Sequence, residues 1–116
     1  MSPSARFIHA VFNYEGRGLD VPQALGEKAS YTVPSDRRAQ LVYVRAGNSG
    51  AELVNLQLLR DGKLCRYFPI GARASVHVPL AVVEEMFPES KLELQLAAPA
   101  KASGTLIVDI GFVELD

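Results

Sequence analysis

The chain has 116 residues and a mass of 12.6 kDa, which predicts one domain, residues 1–116, with a core large enough to need no staples. Hydrophobic residues at 48% and charged residues at 22% exclude an intrinsically disordered chain. A net charge of −1 gives no general pull toward nucleic acid or anionic lipid, and no apolar run approaches the roughly 18 residues of a membrane-spanning helix.

Cys65 is the only cysteine, so no internal disulfide is expected, and the first residues show no apolar stretch of signal-peptide length. Both observations favour a reducing, cytoplasmic setting. Residues 1–5 are expected to fray. Residues 6–14 form a first strand, with Ile8, Ala10, Phe12 and Tyr14 on one face and Phe7, His9, Val11 and Asn13 on the other. Residues 15–28 hold three glycines and a proline without a sustained period, and read as a long loop. A short strand at 29–33 stops at Pro34.

Residues 40–46 are strongly β-prone and apolar on both faces, as an interior strand should be. After the turn at 47–50 comes a hairpin over 52–68, centred on Asp61 and Gly62, a pair suited to the positive φ angles of a type I′ turn. A two-residue loop sets Arg60 opposite Lys63, then pairs Leu59 with Leu64, Leu58 with Cys65, Gln57 with Arg66, Leu56 with Tyr67 and Asn55 with Phe68. One face then carries Val54, Leu56, Leu58, Cys65 and Tyr67 as core. The other carries Asn55, Gln57, Leu59, Leu64, Arg66 and Phe68.

Residues 74–78 read as a strand. Residues 79–87 are a helical candidate of one or two turns, with Pro79 at the first position, Leu80, Val83 and Phe87 along a stripe, and Pro88 as the stop. Residues 91–97 alternate cleanly, with Leu92, Leu94 and Leu96 inward and Lys91, Glu93 and Gln95 outward. The last strand, 105–115, places Leu106, Val108, Ile110 and Phe112 inward and Ile107, Asp109, Gly111, Val113 and Leu115 outward. About eight strands with one short helical turn predict an all-β, antiparallel two-sheet sandwich of jelly-roll or immunoglobulin-like topology.

No constellation reaches the standard of a catalytic or metal motif. His9 and His77 lack metal-ligand spacing, and could act with Asp109 or a glutamate only if their strands were neighbours aimed at one pocket. Cys65 lies between cations, but on this register it is a core residue. Glu84 and Glu85 point apart, and the serines show no nucleophile elbow. Gly16 to Gly18 is too short for a phosphate-binding loop. Arg37, Arg38, Arg60, Lys63, Arg66 and Arg73, with Tyr67 and Phe68 between them, read as scattered solvated charges rather than a nucleic-acid surface. No cofactor, metal, nucleic-acid or membrane partner is expected.

More apolar residues lie opposite the expected core than a lone sandwich needs, including Phe7, Val11, Ile107 and the second hairpin face. The reading is a non-enzymatic protein that associates, mainly with itself, as a structural or accessory component of a larger assembly. Its expected interface is Gln57, Leu59, Leu64, Arg66, Phe68, Val113 and Leu115. An intrachain alternative has the 15–28 loop cover this surface with Leu19, Val21 and Leu25. A rival reading is a small-ligand or carbohydrate-binding module with a site rimmed by residues 15–28 and 47–50.

Overall fold

The computed structural model describes the backbone of residues 3–116, and their side chains except at 81–84. Among these residues the strands are β1 (Ser4–Glu15), β2 (Gly18–Ala24), β3 (Ser30–Thr32), β4 (Arg38–Asn48), β5 (Val54–Arg60), β6 (Lys63–Ile70), β7 (Ser75–Met86), β8 (Lys91–Ala98) and β9 (Ser103–Leu115). They form two antiparallel sheets. One runs β1-β9-β4-β7 and the other β2-β8-β5-β6, with β3 pairing a further part of β8. β1 and β2, β4 and β5, β6 and β7, and β8 and β9 each divide between the two sheets. That interleaving is the double Greek key of a jelly roll rather than the strand order of an immunoglobulin sandwich.

The core lies between the sheets. Leu106, Val108, Ile110 and Phe112 of β9 are buried, as are Leu92, Leu94 and Leu96 of β8, in the alternation their sequences predict. Ile8 of β1 joins them, with Ala10, Phe12 and Tyr14 packed partly against the cluster.

Two one-residue bulges decide which side chains face out. In β4, Leu41 is paired with Phe112 and Tyr43 with Gly111, so Val42 is the extra residue and stands exposed. The bulge keeps both Leu41 and Val44 in the core and turns Tyr43 and Arg45 outward. In β6 the hairpin starts as expected. Asp61 and Gly62 have φ of 52° and 81°, Arg60 faces Lys63 and Leu59 faces Leu64. Leu58 then pairs with Arg66 instead of Cys65, which leaves Cys65 as the bulge residue.

That slip corrects the expected face of β6. Phe68, placed by strict alternation on the outer face, pairs with Leu56 and is only 4% exposed in the core. Tyr67, expected inside, is 58% exposed. The bulge wins because it buries both Phe68 and Ile70, whereas strict alternation would bury Cys65 and Tyr67 instead.

Three further expectations change. Residues 79–87 are not helical: through Met86 they extend β7, paired with β4 across a register shift between Leu41 and Tyr43. One or two helical turns nucleate poorly, and a run rich in valine gains more from pairing. Val83, the middle of the expected stripe, lies outside the described side chains. Residues 15–28 are not a loop either. They form the edge strand β2 and a 3-10 turn, Glu27–Ala29, with Leu19 and Val21 exposed rather than folded over a sheet as a lid. Pro22 and the shift between Gly18 and Gln23 hide the strand from a periodicity reading. Ser4 and Ala5, expected to fray, open β1 in register with Glu114 and Val113. The same expectation at Met1 and Ser2 lies outside the described residues.

Candidate functional site

The outer face of the four-stranded sheet gathers residues from four strands into rows. Directly opposed residues of antiparallel strands share a face, so the register fixes each row. Phe7, Gly111 and Tyr43 form one row, His9, Asp109, Arg45 and His77 the next, and Val11, Ile107 and Gly47 the third.

Asp109 is the hub of the middle row. Its Oδ1 accepts from the Tyr43 hydroxyl at 2.9 Å and lies 3.1 Å from His9 Nε2, while its Oδ2 accepts from Arg45 at 3.2 Å. Tyr43 can reach it because Gly111, directly across from it, has no side chain. A Cβ at Gly111 would sit 2.1 Å from the Tyr43 ring. Burial pushes the Tyr43 hydroxyl above the ordinary tyrosine pKa, and its hydrogen bond to Asp109 adds to the shift. Around this row the ring of Phe7 stacks on His9 with centroids 5.4 Å apart, and Tyr43 meets His77 edge-on at 6.0 Å.

The two histidines of this row do not converge on a common point. His9 and His77 do share a face and a row, but β9 and β4 lie between their strands, a separation of about 14 Å at the usual strand spacing. Among the described residues no three His, Cys, Asp or Glu side chains come together to hold an ion. Asp109 already has three partners, which leaves it little capacity as a base.

The row instead offers a polar stripe whose charges are mutually paired, flanked by apolar side chains open to solvent. Phe7 is 55% exposed, Val11 61% and Ile107 56%. Together they present on the order of 300 Å² of apolar surface, within the range of the largest patch on an ordinary monomer, where such patches are often functional. Covering the stripe costs less than it would for unpaired charges, although the half-exposed Arg45 and His9 still lose hydration.

The expected interface residues do not lie on one surface. Gln57, Leu59 and Leu64 are on the outer face of the five-stranded sheet, and Val113 and Leu115 are half-buried on the opposite sheet. Phe68 is core, and the Arg66 guanidinium lies 5.9 Å from its ring centre at the sandwich margin. The five-stranded sheet carries a smaller polar group. Gln95 Nε2 donates to Gln57 Oε1 at 3.0 Å, beside the exposed Tyr67 that pairs with Gln57. Nearby, Asn55 Oδ1 is enclosed without a hydrogen-bond partner among the described residues.

The segments expected to rim a ligand site are largely committed to the fold. The Tyr14 hydroxyl donates to Asn48 Oδ1 at 2.6 Å, and Asn48 Nδ2 donates to the carbonyls of Glu52 and Gly71. A cleft beside them, lined by Phe12, Tyr14, Gln23, Leu25 and Leu96, holds about 190 Å³, below the roughly 300 Å³ of ordinary ligand pockets.

No protein-family model matches the sequence, and comparison with curated proteins finds no match. Similarity lies in the fold. The CBM36-1 domain of a multidomain xylanase from the hindgut metagenome of Trinervitermes trinervoides superposes with a TM-score of 0.58 at 11% identity, over 95% of this chain and 96% of that one. A family 35 carbohydrate binding module from Clostridium thermocellum gives a TM-score of 0.51 at 8% identity, over 97% and 98% of the two chains. A chain of infectious bursal disease virus, Gt strain, gives 0.49 at 12% identity, with 97% of this chain matching 32% of that one. At these identities the likeness shows a β-sandwich fold.

Proposed function

We propose that this chain is a non-catalytic sandwich that acts by association, with a second copy of itself, through the outer face of the four-stranded sheet. The observation that carries the reading is the exposure of Phe7, Val11 and Ile107 around a stripe whose charges are already paired. Covering about 300 Å² on each of two copies is worth roughly 15 kcal/mol gross at about 25 cal/mol per Å². Association costs run at about 4–15 kcal/mol, so a weak to moderate dimer is the expected scale. Such a dimer suits a structural or accessory part of a larger assembly. Light scattering at micromolar concentration tests it: a particle heavier than the 12.6 kDa chain is expected, and a clean monomer overturns the reading.

A second reading, carbohydrate binding, is favoured by the exposed Tyr67 ring beside the half-buried Gln95, whose amide is oriented by the buried Gln57. An aromatic face and oriented amides are the groups that engage a sugar's C–H face and hydroxyls. The fold's likeness to two carbohydrate-binding modules points the same way at the level of architecture. Affinity electrophoresis against xylan and other polysaccharides, with Tyr67→Ala as the control, separates it from the first. Retardation lost in that variant supports sugar binding, and unchanged migration throughout overturns it.

A further inference from the structure

We propose that two copies stack face to face about a two-fold axis parallel to the strands and midway between β9 and β4, with Ile107 of each copy filling a hollow over Gly47 of the other. This rests on the self-association reading and specifies its geometry.

The borders of this sheet leave its face as the surface open to a second copy. The 3-10 turn Glu27–Ala29 packs along the outer edge of β1, with Ala29 buried, and its exposed Lys28 reaches the flank of Val11. At the opposite border β7 carries Pro79 and a register shift, both of which blunt strand pairing. The face between these borders is uneven. Ile107 stands up from β9 at 56% exposure, and beside it Gly47 lies at the floor of a hollow of about 430 Å³ walled by Arg45, Ser75, His77 and Asp109. A Cβ at Gly47 would meet only Ser75 Cβ, at 3.9 Å, so among the described residues nothing fills the space over it.

The register makes this face its own complement. Ser75 of β7 continues the row of Val11, Ile107 and Gly47. An axis midway between β9 and β4 sets each residue over the one equally far on the other side of its row. Ile107 then meets Gly47 and Val11 meets Ser75, a large side chain over a small one in each pair. In the middle row each Asp109 meets Arg45 of the other copy, so four charges alternate in sign around the axis. The Tyr43 ring occupies the Cβ level at Gly111, so that row stays low where the faces close. Charge rejects the competing axes. An axis along β9, along β4 or along the middle row stacks Asp109 on its own copy or Arg45 on its own, and like charges in contact repel. Aligned packing of two twisted sheets, about 30° apart and about 10 Å between them, keeps the pairs nearest the axis together. At about 4.8 Å per strand and about 6.8 Å per row, the three rows cover about 400 Å² on each copy, below the size of a tight interface, so the dimer is weak.

An exchange of size tests the axis, with association read by sedimentation over a micromolar concentration series and the fold by far-UV circular dichroism. Gly47→Ile fills the hollow and should weaken the dimer at least about tenfold, because the overfilled contact with Ile107 occurs twice. Adding Ile107→Ala to that variant should restore affinity to within about threefold of the parent, since the new isoleucine then faces alanine on the other copy. A Gly47→Ile protein that dimerises like the parent overturns the proposed contact. A double variant no tighter than Gly47→Ile overturns this axis, and a monomeric parent overturns the self-association reading beneath it. Should either variant fail to fold, Ser75→Arg and Leu64→Arg decide, because both sites are exposed and lie on opposite sheets. The first sets a charge against Val11 of the other copy and should weaken the dimer at least about tenfold, and the second should leave it unchanged. A Ser75→Arg protein that dimerises like the parent, or a Leu64→Arg protein that does not, overturns the proposal.

Discussion

Tyr43 lies across Gly111, the residue directly opposite it on the neighbouring strand, and occupies the space a side chain there would fill. This aromatic-over-glycine pair fills a gap in the sheet face and carries the Tyr43 hydroxyl to Asp109. Asp109 also pairs with His9 and Arg45, which the register sets directly opposite it, so the Tyr43 hydroxyl adds a third partner to a row the strands already align.

Gly111→Val should therefore displace the Tyr43 ring and break its hydrogen bond to Asp109. Overpacking of this kind costs about 1–3 kcal/mol. Urea denaturation should show that loss, while Tyr43→Phe, which keeps the ring, should lose only about 0.5–1.5 kcal/mol. Because Gly111 is buried but Tyr43 faces outward, a Gly111→Val protein as stable as the parent would mean that the ring is not seated there.

The β6 bulge predicts opposite outcomes for two residues that strict alternation places together. Phe68→Ala should cost about 3–5 kcal/mol, as a large side chain removed from a packed core does. Leu64→Ala, at a position 47% exposed, should stay within about 0.5–1 kcal/mol. Thermal melts of the two variants settle the register, since strict alternation would leave both changes equally mild.

What the sequence revealed and what it hid divide at these bulges. β1, β8 and β9 alternate without interruption along their inward faces, so Ile8, Leu92, Leu94, Leu96, Leu106, Val108, Ile110 and Phe112 were legible as core. β4 and β6 each contain one extra residue, and periodicity cannot show an insertion whose benefit lies in the partner strand. Phe68 and Ile70, two apolar residues at even spacing, were the available sign in β6. The outer row had no local sign. His9, Arg45, His77 and Asp109 come from four separated segments, and only the order β1-β9-β4-β7 brings them side by side. The helical reading of 79–87 failed because its proline and period suit a short helix as well as an edge strand, and pairing with β4 decided between them.

At one end of the sandwich Glu114 is 2% exposed, the continuation of the inward face of β9. The Tyr31 hydroxyl donates to it at 2.5 Å, and Arg6 and Arg37 lie 3.5 and 3.9 Å from its carboxylate. Removing the carboxylate takes their buried partner from Tyr31 and Arg6, while Arg37 keeps Asp116 at 3.9 Å. Glu114→Ala should cost about 3–5 kcal/mol in chemical denaturation, reduced somewhat because Arg6 is half in solvent. Glu114→Leu, which fills the space, should recover little while the arginines remain. A loss below about 1 kcal/mol would mean that this end of the sandwich is not closed by the carboxylate.

Three tyrosines give stability a dependence on alkaline pH whose sign follows from their surroundings. Burial, followed by the hydrogen bond to Glu114, pushes the Tyr31 hydroxyl far above the usual value of about 10. Burial also raises Tyr43, with its bond to Asp109 next, and Tyr14, with the charge of Glu52 next. In each case the fold retains a proton that the unfolded chain releases near pH 10. Between the two pKa values the native state binds more protons than the unfolded one, so stability falls as pH rises. The contribution is whole below about pH 10 and is lost on the way up through the folded values. Unfolding free energy should be insensitive to these groups from pH 8 to about 9.5 and then fall, by up to about 1.4 kcal/mol per pH unit for Tyr31 and by less for the more solvated Tyr14 and Tyr43. Tyr31→Phe should make that descent shallower. A stability that holds level to pH 11.5 would show that the three hydroxyls ionise as freely in the fold as outside it.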